Sequence, residues 1–265
     1  MTLKSNESFR TYQWTNYINQ FKNILFFCLY ILSRPKLLIL IFKKVYLPVY
    51  VQYEWLKKFN VGTIVDIGAN KGNVTVALAA LCPNADIFAF EPMRNECDKI
   101  RQKVKHLRNV TVINTALSNK NGKIPFFVNT YSPSSSMLPL SSLGKKITPS
   151  LTKKTTVRVI TLDTYFQNKK LRKPVFIKID VQGAEKIVFE GGKDFLKKTS
   201  VIHVETSYEK IYETQCLFED IYQILIHSGF LYHGSIKGAD FYPLLTIPYS
   251  ENSFFIRKSM SQCIM

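Results

Sequence analysis

Short, β-branched and nearly continuous apolar runs alternate along the chain with longer stretches in which apolar residues recur at helical spacing. Thr63–Ile67, Ala85–Glu91, Val110–Ile113, Val175–Ile179 and Val201–Val204 read as strands. Phe126–Val128, Thr156–Val159 and Phe254–Ile256 read as further extended segments. Helices are predicted over about 74–81, 95–107, 184–189 and 218–227. Apolar strands with helices between them bury both faces of a sheet, which predicts an α/β domain with a doubly wound, mostly parallel sheet. The stretch from Ser132 to Thr156, rich in Ser and Lys and carrying Pro133, Pro139 and Pro149, fits no periodic template and reads as one long loop.

The first sixty residues follow a different pattern. Residues 24–32 (ILFFCLYIL) and 37–42 (LLILIF) are strongly apolar, but Ser33-Arg34-Pro35-Lys36 lies between them. A spanning helix needs about 20 mostly apolar residues without such a break. Two cations and a proline at its midpoint would cost several kcal/mol. A signal peptide does not fit either, because the apolar run begins late and no small-residue cleavage site follows. Nine Lys or Arg against Glu7 and Glu54 give this segment +7. Two readings stand: a helical extension lying on an anionic membrane surface, or helices packed on the main domain. The expected division is an extension over 1–60 and a single domain over 61–265.

Over all 265 residues, 36 Lys and Arg face 19 Asp and Glu, for a net charge of +17. An apolar fraction of 46% excludes a chain that is mainly disordered. The basic excess fits an acidic partner without choosing among nucleic acid, phospholipid or an anionic substrate. Against nucleic acid, there is no N-P-P-Y-like signature, no basic recognition helix and no aromatic platform for RNA. Five scattered cysteines without a C-x-x-C pair argue against a disulfide framework or structural zinc. They fit a reducing compartment, hence a cytoplasmic protein, peripheral at the membrane if the extension binds there.

The main chemical signal ends the first strand. Asp66-Ile67-Gly68-Ala69-Asn70-Lys71-Gly72 joins a buried strand to a helix, where open α/β sheets bind ligands. Nineteen residues after Gly72, Glu91 ends the second strand, where a carboxylate can hold both hydroxyls of a ribose. A dinucleotide site would show G-x-G-x-x-G, whereas this loop is D-x-G-x-x-x-G. The Asp66 carboxylate would repel a pyrophosphate but suits a cofactor with an ammonium and a sulfonium, so S-adenosylmethionine is favoured over NAD. The bland alternative is a purely structural strand–turn–helix.

The stretches VDIGANKGNVTVALA (65–79), FAFEPMRNECDKI (88–100), NTALSNKNGKIPFFV (114–128), VITLDTYF (159–166), IKIDVQGAEKIVFEGG (177–192) and IHVE (202–205) resemble the FkbM family of S-adenosylmethionine-dependent methyltransferases. The resemblance implies a seven-stranded, Rossmann-like class I methyltransferase fold. It also implies that Asp66, Gly68, Asn70 and Gly72 line the methionine half of the cofactor, Glu91 its ribose, and Ala116 and Leu117 its adenine. One departure is Gln182, where the family usually has Glu.

Asp180 and Glu205 end the fourth and fifth core strands at the carboxyl edge, where an acceptor should arrive. They are candidates for base and orienter, or for ligands of a divalent cation; a helix N-cap is the plain alternative for Asp180. Glu185 is expected in the first turn of the next helix. His203 reads as a core residue, His106 and His227 as helix C-terminal, and His233 has no place the sequence assigns. Ser134, Ser135 and Ser136 read either as cofactor or acceptor contacts or as a polar loop. The expected activity is O-methylation of a glycan, glycolipid or other small-molecule acceptor. The alternatives are an inactive membrane-surface protein of the same fold, or a nucleic-acid-binding protein.

Overall fold

A computed structural model describes residues 25, 29–42, 44–148, 151–237 and 249–263. The chain divides into two compact units, Met1–Leu47 and Pro48–Met265. In the first, residues 29–32 are helical, Pro35–Leu37 form a 3-10 turn, and helix α1 spans Leu38–Phe42. Leu37 and Val45 are buried, while Leu29, Leu32, Leu38, Ile39, Ile41, Phe42 and Tyr46 are exposed. Among the described residues no helix is long and apolar enough to cross a membrane. Residues 1–24 and 26–28, which carry much of the predicted apolar and basic pattern, lie outside the described residues.

Helix α2 spans Leu47–Gln52, and a 3-10 stretch covers Glu54–Phe59. Within the second unit Tyr53 and Leu56 are buried, and the Trp55 ring stands edge-on to Phe176 and Phe254. Residues 48–60 therefore join this unit's core through Tyr50, Tyr53 and Leu56.

The central sheet holds β1 (Thr63–Ile67), β2 (Asp86–Phe90) and β3 (Val110–Ile113), followed after an insertion by further strands. The insertion is a second sheet of β4 (Ala116–Leu117), β5 (Gly122–Asn129) and β6 (Thr152–Ile160), in the order β4-β6-β5. The remaining strands are β7 (Val175–Ile179), β8 (Val201–Ser207), β9 (Phe230–Lys237) and β10 (Ser250–Arg257). The central order is β3-β2-β1-β7-β8-β10-β9, parallel throughout except that β10 runs against both neighbours. Every residue of β1 and β7 is buried, which is why these runs are β-branched and apolar. Strand order reverses between them, and that reversal opens a crevice at their carboxyl ends. The register pairs Asp66 with Lys178 and Lys178 with His203, so three polar side chains lie in a row on one face.

Helix α3 (Asn73–Leu81) and α4 (Arg94–Val104) lie close to the expected spans. Two expectations need correction. The Ser132–Thr156 stretch is not one loop: it holds a 3-10 turn at Ser132–Ser134, helix α5 (Ser142–Ile147) and the start of β6. Residues 152–156 are exposed, so β6 carries no apolar period there, while Ser141 caps α5 by accepting from Gly144 N–H at 3.0 Å. Strand β9 had no sequence signal of its own, because it is an outer strand and the pairing with β10 shifts register opposite His233. His233 is exposed there. Helices α6 (Leu162–Phe166), α7 (Glu185–Glu190), α8 (Lys193–Lys198) and α9 (Phe218–His227) complete the cover of the sheet, and Val188, Phe189, Phe195, Ile221 and Leu225 join the central core.

Candidate active site

The loop after β1 is shaped by close approach. Gly68 has φ +77°, and a Cβ there would stand 1.9 Å from the Asp180 carbonyl oxygen. Only glycine fits both restrictions. Asn70 is also left-handed, at φ 46°, which turns its N–H toward Glu91 Oε2 at 2.8 Å. Met93 N–H donates to Glu91 Oε1, also at 2.8 Å. The Glu91 carboxyl is buried, and burial pushes its pKa up to about 7 against the pull of those two amides.

A cleft opens over this loop. Phe90, Met93, Ala116, Leu117 and Phe126 give it an apolar slot, and Gly68, Asn70, Glu91, Ser132 and Ser135 give it polar edges. Asp180, Val181 and Gln182 form its far wall. Of the residues singled out in the sequence, Gly68, Asn70, Glu91, Ala116, Leu117 and Asp180 line it. Asp66 and Gly72 do not. Asp66 is fully buried behind the loop, where Thr75 Oγ1 donates to its Oδ2 at 2.6 Å. Gly72, at φ +77°, is the N-cap of α3 and faces Ile100.

Beneath the cleft lies a residue the sequence reading passed over. Lys178 is 4% exposed, yet its ammonium donates to the Gly68 carbonyl at 3.0 Å and stands 3.5 Å from both Asp66 Oδ1 and Asp180 Oδ2. Burial opposes its charge, but the carboxylates of Asp180, Asp66 and Glu205 together hold its pKa above the ordinary value. For Asp180, burial pushes up. The Lys178 ammonium, with hydrogen bonds from Gln182 and Glu205, outweighs that and holds the group below the usual carboxylate range. His203, next in the row, is pushed down to about 3 by burial and then by Lys178, and its Nδ1 lies 2.6 Å from the Tyr53 hydroxyl. It is a neutral core histidine.

Gln182 bridges the two carboxylates. Its Nε2 donates to Asp180 Oδ1 at 2.7 Å and to Glu205 Oε2 at 2.9 Å, while its Oε1 accepts from the Tyr212 hydroxyl at 2.7 Å. Every polar atom of the amide has a partner, which fixes its orientation. Ser136 Oγ holds the backbone of the same turn by donating to the Gln182 carbonyl at 2.7 Å. Glu185, in the first turn of α7, accepts from Val181 and Gly183 N–H, and burial pushes its pKa up to about 7.

A second cleft lies on the other side of Asp180 and Gln182. Its walls include Glu205, Ser207, Tyr212, Gln215, Tyr249 and Asn252, with Tyr131 and Ser134 at the edge. The three serines are buried and divided between the clefts: Ser135 lines the first, Ser134 the second, and Ser136 pins the turn between them.

Residues 66–232 match the methyltransferase FkbM domain family. The chain belongs to the FkbM family. It is also 30% identical over 170 residues to the 2-O-methyltransferase NoeI of Sinorhizobium fredii (strain NBRC 101917 / NGR234), a match covering 61% of this chain and 70% of that protein. Solved structures of similar shape include magnesium protoporphyrin IX methyltransferase of Synechocystis PCC 6803 with bound SAM, at 13% identity and TM-score 0.46. That match covers 78% of this chain and 76% of the other. An rRNA methylase of Streptococcus thermophilus matches at 11% identity and TM-score 0.43, covering 78% of this chain and 94% of the other.

An FkbM methyltransferase uses S-adenosylmethionine, and the first cleft fits that molecule. The apolar slot at Ala116 and Leu117 suits an adenine ring, and Glu91 has lone pairs left to accept ribose hydroxyls. The negative wall at Asp180 suits a sulfonium. A divalent cation does not fit. Among the described residues no group of three or more His, Cys, Asp or Glu side chains is placed to hold one. Asp180 and Glu205, the expected ligands, already face the Lys178 ammonium and the Gln182 amide, donors that would repel a metal ion.

Proposed function

We propose that this methyltransferase transfers the methyl group of S-adenosylmethionine to a hydroxyl of a glycan, glycolipid or other small-molecule acceptor held in the second cleft. The observation that carries this reading is the wall of Asp180 and Gln182 common to the two clefts, which sets a donor on one side and an acceptor on the other. When bound, the cofactor supplies an electrophilic methyl on a cationic sulfur, so in-line placement is most of what the protein must provide. Asp180, ionised beside Lys178, accepts the hydrogen bond of the entering hydroxyl and turns an oxygen lone pair toward the first cleft. As the C–O bond forms, that hydroxyl becomes strongly acidic, and even a weak base takes its proton. Glu205 and Asn252 are placed to hold neighbouring hydroxyls.

The same carboxylates favour oxygen over nitrogen as the methyl acceptor. A negative site stabilises an ammonium, which has no lone pair to attack with, whereas a neutral hydroxyl needs only a hydrogen-bond acceptor. The O-methylation named for the Sinorhizobium relative is in keeping with this. The test is incubation with methyl-labelled cofactor and a panel of glycans, glycolipids and polyketides, with ether-linked label as the expected product. A protein that binds the cofactor yet labels no acceptor would leave the inactive-fold alternative.

The exposed apolar side chains of residues 29–46 support peripheral attachment to an anionic membrane, with Arg34 and Lys44 among the cations beside them. Sedimentation with anionic vesicles at low salt tests this.

A further inference from the structure

We propose that Tyr212 is a positioning residue for methyl transfer: its hydroxyl anchors the Gln182 amide, which in turn holds Asp180 and Glu205 where an acceptor must meet them. The proposal rests on the methyl-transfer reading and adds which group keeps the wall between the clefts in place. Gln182 needs an anchor. Its backbone is left-handed, at φ 57°, it lines both clefts, and its long side chain has several rotamers open to it. At one end of the amide, Nε2 reaches Asp180 Oδ1 at 2.7 Å and Glu205 Oε2 at 2.9 Å. At the other, Oε1 takes the Tyr212 hydroxyl at 2.7 Å. Asp180 is the more open group, with a side chain 38% exposed that lines both clefts. Its direction is therefore set by its partners, the Gln182 amide on Oδ1 and the Lys178 ammonium 3.5 Å from Oδ2.

Tyr212 has the properties of a fixed point. It is 3% exposed, it packs with Leu140, Ile147 and Ile211, and a Cβ at Gly183 would stand 3.0 Å from its Cδ2. Its backbone N–H donates to Gln215 Oε1 at 3.0 Å, and Gln215 Nε2 donates in turn to Ser207 Oγ at 2.7 Å. Burial, then the carboxyl groups of Glu205 and Asp180, push the phenol's pKa up, so the hydroxyl remains a donor to Oε1. The same hydroxyl lies 3.0 Å from the Ser134 carbonyl, which ties it to the loop at the edge of the second cleft. A side chain locked by packing behind the group it orients is what keeps reacting atoms in line.

The test is a double-mutant cycle on the full chain. Tyr212→Phe keeps the ring and removes the hydroxyl, whereas Gln182→Met keeps the length and removes the amide. In NMR of protein carrying isotope-labelled glutamine, the Gln182 side-chain N–H pair should exchange slowly with water, and at least about tenfold faster in Tyr212→Phe. That variant should keep its affinity and KM for S-adenosylmethionine. It should transfer methyl groups about tenfold more slowly to whichever acceptor of the panel the native protein labels. Gln182→Met, which leaves Tyr212 and its packing intact, should lose as much turnover or more, and adding Tyr212→Phe to it should cost nothing further. Native exchange or native turnover in Tyr212→Phe would overturn the proposal, as would the same loss of turnover with and without the Gln182 amide. Faster exchange in a protein whose native form labels no acceptor would uphold the hold of Tyr212 on Gln182 and count instead against the methyl-transfer reading.

Discussion

Replacing Lys178 by Met removes a charge but little volume, and so isolates what the buried ammonium does. In the native protein that group faces two carboxylates at 3.5 Å and the Gly68 carbonyl at 3.0 Å. Without it, Asp66 keeps the Thr75 hydroxyl as its hydrogen-bond donor, and Asp180 keeps the Gln182 amide. Removing one partner of a buried ion pair costs about 3–5 kcal/mol, because the other charge stays buried. Asp66 is fully buried and carries most of that cost; Asp180 is partly open to the clefts, so its share is discounted. The Gly68 carbonyl adds about 1 kcal/mol. A loss of about 3–5 kcal/mol is a large part of the stability of an ordinary domain.

The pH dependence gives an independent check. Asp180 is held low in the native protein, so the stability it contributes is present above its unfolded pKa and lost as pH falls through its folded value. In Lys178→Met the Asp180 carboxyl loses that ammonium, so the effect of burial dominates and the group binds its proton more readily than in the unfolded chain. The variant therefore recovers stability as pH falls, and its deficit against the native protein should shrink between pH 7 and pH 5. Urea unfolding at the two pH values measures both quantities. A deficit under about 1 kcal/mol at pH 7, or one that does not change at pH 5, would refute the reasoning.

Three further outcomes are expected. Glu91→Ala should weaken cofactor binding by two hydrogen bonds to a charged group, each about 1.5–3 kcal/mol. Because burial holds Glu91 near pH 7, native affinity should rise from pH 6 to 8 as its carboxylate ionises, and flat calorimetric titrations would sink the placement. Asp180→Asn should stay folded, though less stable because Lys178 keeps only Asp66 as its carboxylate partner, should lose at least about a hundredfold in turnover, and should not recover its rate with added Mg²⁺ or Mn²⁺. Full activity in that variant would remove Asp180 from the chemistry. Deletion of residues 1–47 should abolish co-sedimentation with anionic vesicles and leave cofactor affinity intact, whereas deletion through residue 60 should also unfold the protein, since Tyr53 and Leu56 are core.

The parts of the site legible in the sequence are those the backbone dictates. Gly68 and Gly72 announce a loop that no other residue could form, and Glu91 follows at a distance set by one helix and one strand. Asp180 follows the last residue of β7, while Glu205, expected to end its strand, lies two residues inside β8, which antiparallel pairing with β10 carries on to Ser207. Parallel pairing still brings both to one edge. Lys178 carried no such signal. Inside Val175-Phe176-Ile177-Lys178-Ile179 it breaks an apolar run as a surface lysine on an outer strand would, and only the β1–β7 register shows that Asp66 is its neighbour. Gln182 shows the same limit from the other side. As a letter it is the loss of a carboxylate, whereas in the fold its amide joins Asp180 to Glu205 and takes the Tyr212 hydroxyl. A carboxylate at that position could still accept from the Tyr212 hydroxyl but would offer no N–H to Asp180 or Glu205. The amide instead donates one N–H to each of them, which no carboxyl group can do, protonated or not.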